Sequence, residues 1–133
     1  MIEHQIDSTY AEFPRIDERF TGLAYRHGFA SAKLESKISN FGFDAIIHYD
    51  LKNNSQTIRN FAPGSMVSEP VFVPKQTNSP EGEGFILTIA YVPERDSSDL
   101  YILDAMNINK EPLAVVQLPQ RIPNGFHGNW YDF

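Results

Sequence analysis

The 133-residue sequence contains no cysteine, which excludes disulfides, thiolate metal sites and cysteine nucleophiles. It also lacks an excess of basic residues: 11 lysines and arginines stand against 17 aspartates and glutamates, for a formal net charge of −6. This balance argues against nucleic acid as a partner, because phosphates require a basic face, and against purely electrostatic docking to anionic lipid. The absence of cysteine fits a reducing compartment, and we expect a cytoplasmic protein.

Long hydrophobic runs are missing as well. The longest strongly apolar stretch, at 85–92, has about eight residues, against the roughly 20 that a membrane-spanning helix needs. The first ten positions are polar rather than basic and then apolar, so no targeting signal is expected. Any membrane contact would have to be peripheral. Nucleophile elbows, phosphate loops and dinucleotide fingerprints are absent from the sequence.

Short runs of β-branched and aromatic residues, separated by turn-forming clusters, indicate an all-β fold. Strands are predicted at 43–50, 56–61, 70–73, 85–92, 100–104 and 113–118. The run at 85–92 is the most apolar and is expected to be central in its sheet. A helix at 31–39 is a weaker alternative. The spacing suits both a β-sandwich and a β-propeller, so it leaves the architecture open.

The four histidines are candidate ligands for a divalent transition metal such as Fe(II): His4, His27, His48 and His127. Three of them have ordinary contexts. His4 lies in a polar N-terminal segment, and His27 in an aromatic segment that favours packing or a surface hydrogen bond. His48 lies in an alternating strand and is expected to face solvent or a sheet edge.

His127 differs because it lies between Gly125 and Gly128, which predict a sharply turning backbone that can approach an ion closely. Phe126 and Trp130 are expected to shield the imidazole from water. A metal ligand and a buried histidine that caps the core are both compatible with this pattern.

Glu12 and Glu69 each lie beside aromatic and proline residues, in the segments EFPRI and SEPVF. A carboxylate that is buried in such a place needs a partner. A metal-bound histidine can provide one by donating its second ring N–H to an outer-shell carboxylate. A solvated glutamate at a strand end is the alternative for each.

Six collinear segments cover nearly the whole chain: EFPRIDERFTG (12–22), YRHGF (25–29), SEPVFVP (68–74), EGEGFILTIAY (81–91), LYILDA (100–105) and LPQRIPNGFHGNW (118–130). Together they resemble the C-terminal part of the carotenoid cleavage oxygenases, a family that includes stilbene-cleaving relatives. Each segment is weak alone. Their shared order carries the resemblance.

The resemblance implies a seven-bladed β-propeller with Fe(II) on its axis, held by four histidines from different blades. Residues 1–133 would be a single C-terminal fragment containing two to three blades. His127 would be the last ligand, oriented by Glu69 in the outer shell. Glu12 would orient a histidine that this chain lacks, and Phe126 and Trp130 would line the substrate region.

The implied activity is that of an Fe(II)-dependent dioxygenase, which uses O2 to split a conjugated carbon–carbon double bond of a carotenoid or apocarotenoid into carbonyl products. The sequence departs from the family in lacking the segments that bear the first three ligands, and in placing His27 where an aromatic residue is common. We therefore expect the isolated chain to be inactive and its partner to be the missing N-terminal part of the propeller. The alternatives are a non-catalytic all-β module that binds an apolar ligand or a partner chain, and a remnant without function.

Overall fold

The computed structural model describes residues 5–34 and 42–131. These residues form nine strands: β1 Tyr10–Ile16, β2 His27–Lys33, β3 Ala45–Asp50, β4 Ser55–Asn60, β5 Met66–Val67, β6 Val71–Pro74, β7 Gly84–Val92, β8 Ser97–Asp104 and β9 Ala114–Gln117. Single turns of 3-10 helix lie at Glu18–Phe20 and Pro93–Arg95. No helix within the described ranges is long and apolar enough to cross a membrane.

The strands form two antiparallel sheets. Sheet 1 is a meander in the order β1-β2-β3-β4. Sheet 2 has the order β5-β7-β8-β9. Strands β5 and β6 share one edge of β7: β5 pairs with its C-terminal end and β6 with its N-terminal end. Four-stranded antiparallel units of this kind are the blades of β-propellers.

The hydrophobic core lies between the sheets, because one buried cluster takes side chains from both. Sheet 1 contributes Phe29 and Ile46, and Ile86 and Leu103 of sheet 2 pack with them. All four are at most 1% exposed. Burial of each such side chain stabilises the fold by about 1.5–3 kcal/mol. This packing fixes the position of one sheet against the other.

Two arginines add polar contacts across the interface between the sheets. The Arg19 guanidinium donates to the carbonyls of Thr77 and Ser79, at 2.8 and 3.0 Å. Arg59, on β4, donates to the carbonyl of Lys110 at 2.7 Å. Both satisfy loop carbonyls of sheet 2 from sheet 1, so the loops are tied to the neighbouring sheet.

The all-β prediction is confirmed, and all six predicted strands are present within a few residues of their predicted bounds. Strand β7 pairs on both edges, as expected for the most apolar run. Strands β1 and β2 and the two-residue strand β5 were not predicted. The helical alternative at 31–39 is wrong where it can be examined, because 31–33 end β2, while 35–39 lie outside the described residues. Ladder pairing with β1 and β3 overrides the weak helical preference there.

Candidate metal-ligand site

Glu69 lies at a break in the edge of sheet 2, between β5 and β6. Pro70 follows it and has no backbone N–H to continue the ladder. The Glu69 side chain is only 5% exposed. Its Oε2 accepts from the Gly128 N–H at 2.9 Å and lies 3.1 Å from Nη1 of Arg15. Its Oε1 lies 3.2 Å from Nδ1 of His127. The structure therefore brings the two predicted partners, Glu69 and His127, together.

The electrostatics of Glu69 assign the proton in this pair. Burial alone would raise the pKa of the carboxyl, but hydrogen bonds from the Gly128 N–H, His127 and Arg15 outweigh it and hold the pKa below its ordinary value. An ionised carboxylate only accepts hydrogen bonds, so Nδ1 of His127 carries the hydrogen. Nε2 is then the nitrogen whose lone pair can bind a metal.

The His127 side chain is 75% exposed, so the predicted shielding by Phe126 and Trp130 is wrong for this chain. These two aromatics are themselves 78% and 50% exposed. The physical reason is that residues 123–131 run across the surface and not into the core. The ring that packs on the imidazole is Phe13, edge-on at a centroid distance of 5.6 Å.

The structure does not use the conformational freedom of the two glycines that flank His127. Neither Gly125 nor Gly128 has a positive φ, and a Cβ at either position would meet no atom of the described structure within 4 Å. There is thus open space at both glycines, and the bend of the chain at Phe126 needs no left-handed glycine. The position of His127 depends on the side chains that hold it.

A β-bulge in β1 aims two side chains at this site. The register of β1 against β2 shifts between Glu12 and Arg15, so one extra residue is accommodated. Within the bulge Phe13 has a φ of +57°, which is rare for a bulky residue and costs on the order of 1–3 kcal/mol. Phe13 contacts His127 and Arg15 contacts Glu69. Sequence reasoning missed both residues, although both lie in the EFPR segment.

Glu12 is not part of this cluster. It is exposed on β1, opposite Ser31 of β2. Its expected role toward a histidine outside this chain stays a prediction.

The buried histidines form a separate pair. His27 Nδ1 lies 3.0 Å from His48 Nε2, and the His48 ring stacks on Phe29 at 4.8 Å. The prediction of a solvated His48 is wrong, because it shares the inner face of β3 with the core residue Ile46. Burial and the neighbouring His27 lower the pKa of His48 to about 4, and burial lowers that of His27. His4 lies outside the described residues.

An apolar cavity of about 490 Å³ opens beside the Glu69–His127 pair. Its wall includes aromatic and aliphatic side chains: Phe13, Phe43, Leu87, Leu100, Phe126 and Trp130. Binding pockets for small organic molecules have about this size and apolar character. Within 5–34 and 42–131, no group of three or more histidines and carboxylates is placed to hold a metal ion. The described residues therefore contain no complete metal site, and His127 offers a single imidazole nitrogen beside the cavity.

Two four- to five-stranded antiparallel sheets packed face to face, as in neighbouring blades, indicate part of a β-propeller, and the Glu69–His127 pair lies beside an apolar cavity in it. The chain belongs to the retinal pigment epithelial membrane protein family, whose sequence pattern matches residues 2–132. It is 35% identical to the lignostilbene-α,β-dioxygenase isozyme III of Sphingomonas paucimobilis, over 96% of this chain and 28% of that protein. It is 34% identical to the apocarotenoid-15,15'-oxygenase of Synechocystis, over 92% of this chain and 25% of that protein.

The fold is similar to that of solved structures of the same kind. Cobalt-substituted Synechocystis apocarotenoid oxygenase matches with a TM-score of 0.88 and 33% identity, over 96% of this chain and 26% of that chain. The match confirms the predicted partial β-propeller, of which the described residues form two sheets. The chain spans about a quarter of the length of these relatives.

Proposed function

We propose that this chain supplies one histidine ligand, its orienting carboxylate and part of the substrate cavity to an Fe(II)-dependent dioxygenase. The reaction is the cleavage of a conjugated carbon–carbon double bond in a carotenoid, an apocarotenoid or a related stilbene, with O2, to carbonyl products. The other three histidines come from polypeptide outside these 133 residues. This chain and that polypeptide together form the complete propeller.

The observation that carries the proposal is the contact of Glu69 Oε1 with Nδ1 of His127, at 3.2 Å. A metal-ligating histidine usually donates its second ring N–H to a carboxylate, which fixes the tautomer and the ring orientation. Neutral imidazole is a suitable ligand for Fe(II). The residues present thus fit one position of a histidine-ligated iron centre, and the cobalt-substituted relative is consistent with a bound divalent metal.

When bound, Fe(II) would supply the open coordination position at which O2 is activated. The side chains of this chain would orient the ligand and contact the substrate. Glu69 holds the proton on Nδ1 of His127 and so keeps Nε2 available. The cavity wall, which includes Leu100 and the exposed ring of Phe126, offers apolar contacts to a conjugated substrate. The names of the dioxygenase relatives, one acting on a lignostilbene and one on an apocarotenoid, support this substrate class.

The experiment is to produce the complete propeller and the 133-residue chain in parallel. Iron content is measured by elemental analysis, and cleavage of apocarotenoid and stilbene substrates by chromatography of the products. We expect stoichiometric iron and turnover from the complete propeller and neither from the chain alone. Turnover by the chain alone would contradict the division of ligands proposed here.

A second function, pairing with another chain, is favoured by strand β9. Within the described part of the chain its one ladder partner is β8, and Val115 and Val116 on its two faces are 43% and 46% exposed. An apolar edge strand readily adds a further strand. Analytical ultracentrifugation of the isolated chain tests this, because self-association favours the pairing function and a monodisperse monomer contradicts it.

A further inference from the structure

Arg15 reaches from the β1 bulge to the segment that carries the ligand histidine. Its Nη1 lies 3.1 Å from Glu69 Oε2 and donates to the Gly128 carbonyl at 3.0 Å. Its Nη2 donates to Asn129 Oδ1 at 2.9 Å and to Glu18 Oε1 at 2.6 Å. One guanidinium therefore joins the buried carboxylate to the backbone and a side chain just after the histidine.

These contacts divide the work between the two oxygens of Glu69. Oε2 is occupied by Arg15 and by the Gly128 N–H, which leaves Oε1 for His127. A carboxylate whose one oxygen is held by two donors cannot rotate freely, so the direction of the other oxygen is fixed. The direction of Oε1 in turn sets which imidazole nitrogen carries the hydrogen.

Side-chain packing alone does not fix the orientation of the His127 ring. Residues 123–131 are all exposed, and the His127 ring has Phe13 as its aromatic neighbour on the edge. Arg15, in contrast, has a side chain that is 13% exposed and is anchored on a paired strand. The Arg15 guanidinium is thus anchored on β1, whereas the His127 imidazole lies in the exposed segment 123–131 and needs a partner that holds it.

We infer that Arg15 is a positioning residue for the iron centre, which holds His127 as the Nδ1–H tautomer with Nε2 open to the metal. The inference rests on the proposed function for the identity of the metal, and on geometry alone for the tautomer. Lysine could not replace it, because a single ammonium lacks the planar fork that spans the Glu69 carboxylate and the Gly128 and Asn129 oxygens together.

The test is histidine-selective ¹⁵N labelling of the 133-residue chain and long-range ¹H–¹⁵N correlation at about pH 8, above the ordinary pKa of histidine. We expect a single Nδ1–H tautomer for His127 in the unaltered chain. In Arg15→Met, both its ring nitrogens should shift toward the averaged values of a free imidazole. The signals of His27 and His48 report folding in the same spectrum. Arg121→Met is the matched control, since that guanidinium lies over the Tyr91 ring at 4.5 Å.

A shifted His127 tautomer in folded Arg15→Met, with Arg121→Met unchanged, supports the inference. An unshifted His127 in a folded Arg15→Met chain overturns it. If Arg15→Met loses the folded His27 and His48 signals, Arg15→Lys is judged by the same two outcomes. The readout needs no metal, so an unmetallated complete propeller would defeat the proposed function while leaving this result intact.

Discussion

The chain places histidines in two opposite surroundings. His27 and His48 are buried, face each other at 3.0 Å and are kept neutral by their burial. His127 has a mostly exposed ring, and its partner Glu69 is a buried carboxylate. In the first pair the facing nitrogens satisfy each other. In His127, Nδ1 is held by Glu69 and Nε2 is open. Of the three described histidines, His127 has the oriented and accessible nitrogen that its proposed ligand role requires, whereas the surroundings of His27 and His48 fit a structural role.

The largest contrast is expected between His127→Ala and His48→Ala. The first should lower iron content and turnover of the complete propeller by more than about 100-fold, beyond the usual cost of losing an outer-shell partner. It should change the free energy of unfolding of the chain by less than about 0.5 kcal/mol, since the side chain is largely exposed. His48→Ala should lower that free energy by about 2–4 kcal/mol through the cavity it leaves. Denaturant unfolding and metal analysis check both, and swapped effects would reverse the assignment of the two sites.

Glu69→Gln tests the carboxylate that separates the two surroundings. The amide can no longer accept from both Arg15 and His127, so we expect iron affinity and turnover of the complete propeller to fall by about 10–100-fold. Glu83→Gln is the matched control, because Glu83 is an exposed partner of Lys75 at 3.5 Å. Metal titration decides the matter. Equal affinities for the two variants would show that Glu69 does not orient the ligand.

The buried pair predicts a pH dependence of stability. Folding lowers the pKa of His48 to about 4 and also lowers that of His27, so the unfolded chain binds more protons than the folded chain between about pH 6.5 and about pH 4. The free energy of unfolding should therefore fall as the pH drops through this window, and the contribution should be complete above about pH 6.5. The charged groups facing the pair are Glu81, Asp50 and Arg26.

Urea unfolding of the chain at about pH 7.5 and about pH 4.5 measures the effect. His48→Phe keeps a ring on Phe29 and removes the more strongly shifted imidazole, so its stability should change less between the two pH values. Carboxylates such as Glu69, whose pKa is lowered, lose their contribution at more acidic pH. An identical pH dependence for the variant and the unaltered chain would remove His48 as the cause.

The smallest contrast is between Gly82→Ala and Gly128→Ala. Gly82 has a φ of +81°, and a Cβ there would lie 2.8 Å from His27 Cδ2 and 2.8 Å from Met106 Cε. Its substitution should destabilise the chain by about 1–3 kcal/mol through strain at the buried pair. Gly128→Ala meets no neighbour within 4 Å among the described residues and should cost less than about 0.5 kcal/mol. Thermal unfolding ranks the stability of the two variants. Comparable losses of stability would contradict the open space assigned to Gly128.

The sequence predicted the strands that are runs of β-branched and aromatic residues bounded by turn-forming residues, because such runs fit a half-buried sheet. It missed β1 and β2, where Pro14 and the small residues of HGFASAK weaken that pattern, and β5, which has only two residues. It also placed His48 on the wrong side. The period of two put His48 in phase with Ile46 but could not say which face met the core until the second sheet was in place.

The pairing of Glu69 with His127 was expected only from the resemblance to a family, since 58 positions separate the two residues. Local pattern carries no information about such a contact. Phe13 and Arg15 were missed for a different reason. A bulge changes which side chains point together, and neither the extra residue nor the positive φ of Phe13 is visible in composition or alternation.

The most direct test of the central claim, that His127 binds the metal through Nε2, is proton NMR of the Co(II)-loaded complete propeller. A ligand histidine bound through Nε2 gives a paramagnetically shifted, exchangeable Nδ1–H resonance, and Glu69 should slow its exchange with water. We predict that one such resonance disappears in His127→Ala and exchanges faster in Glu69→Gln. A full set of shifted resonances in His127→Ala, with undiminished cobalt content, would contradict the account.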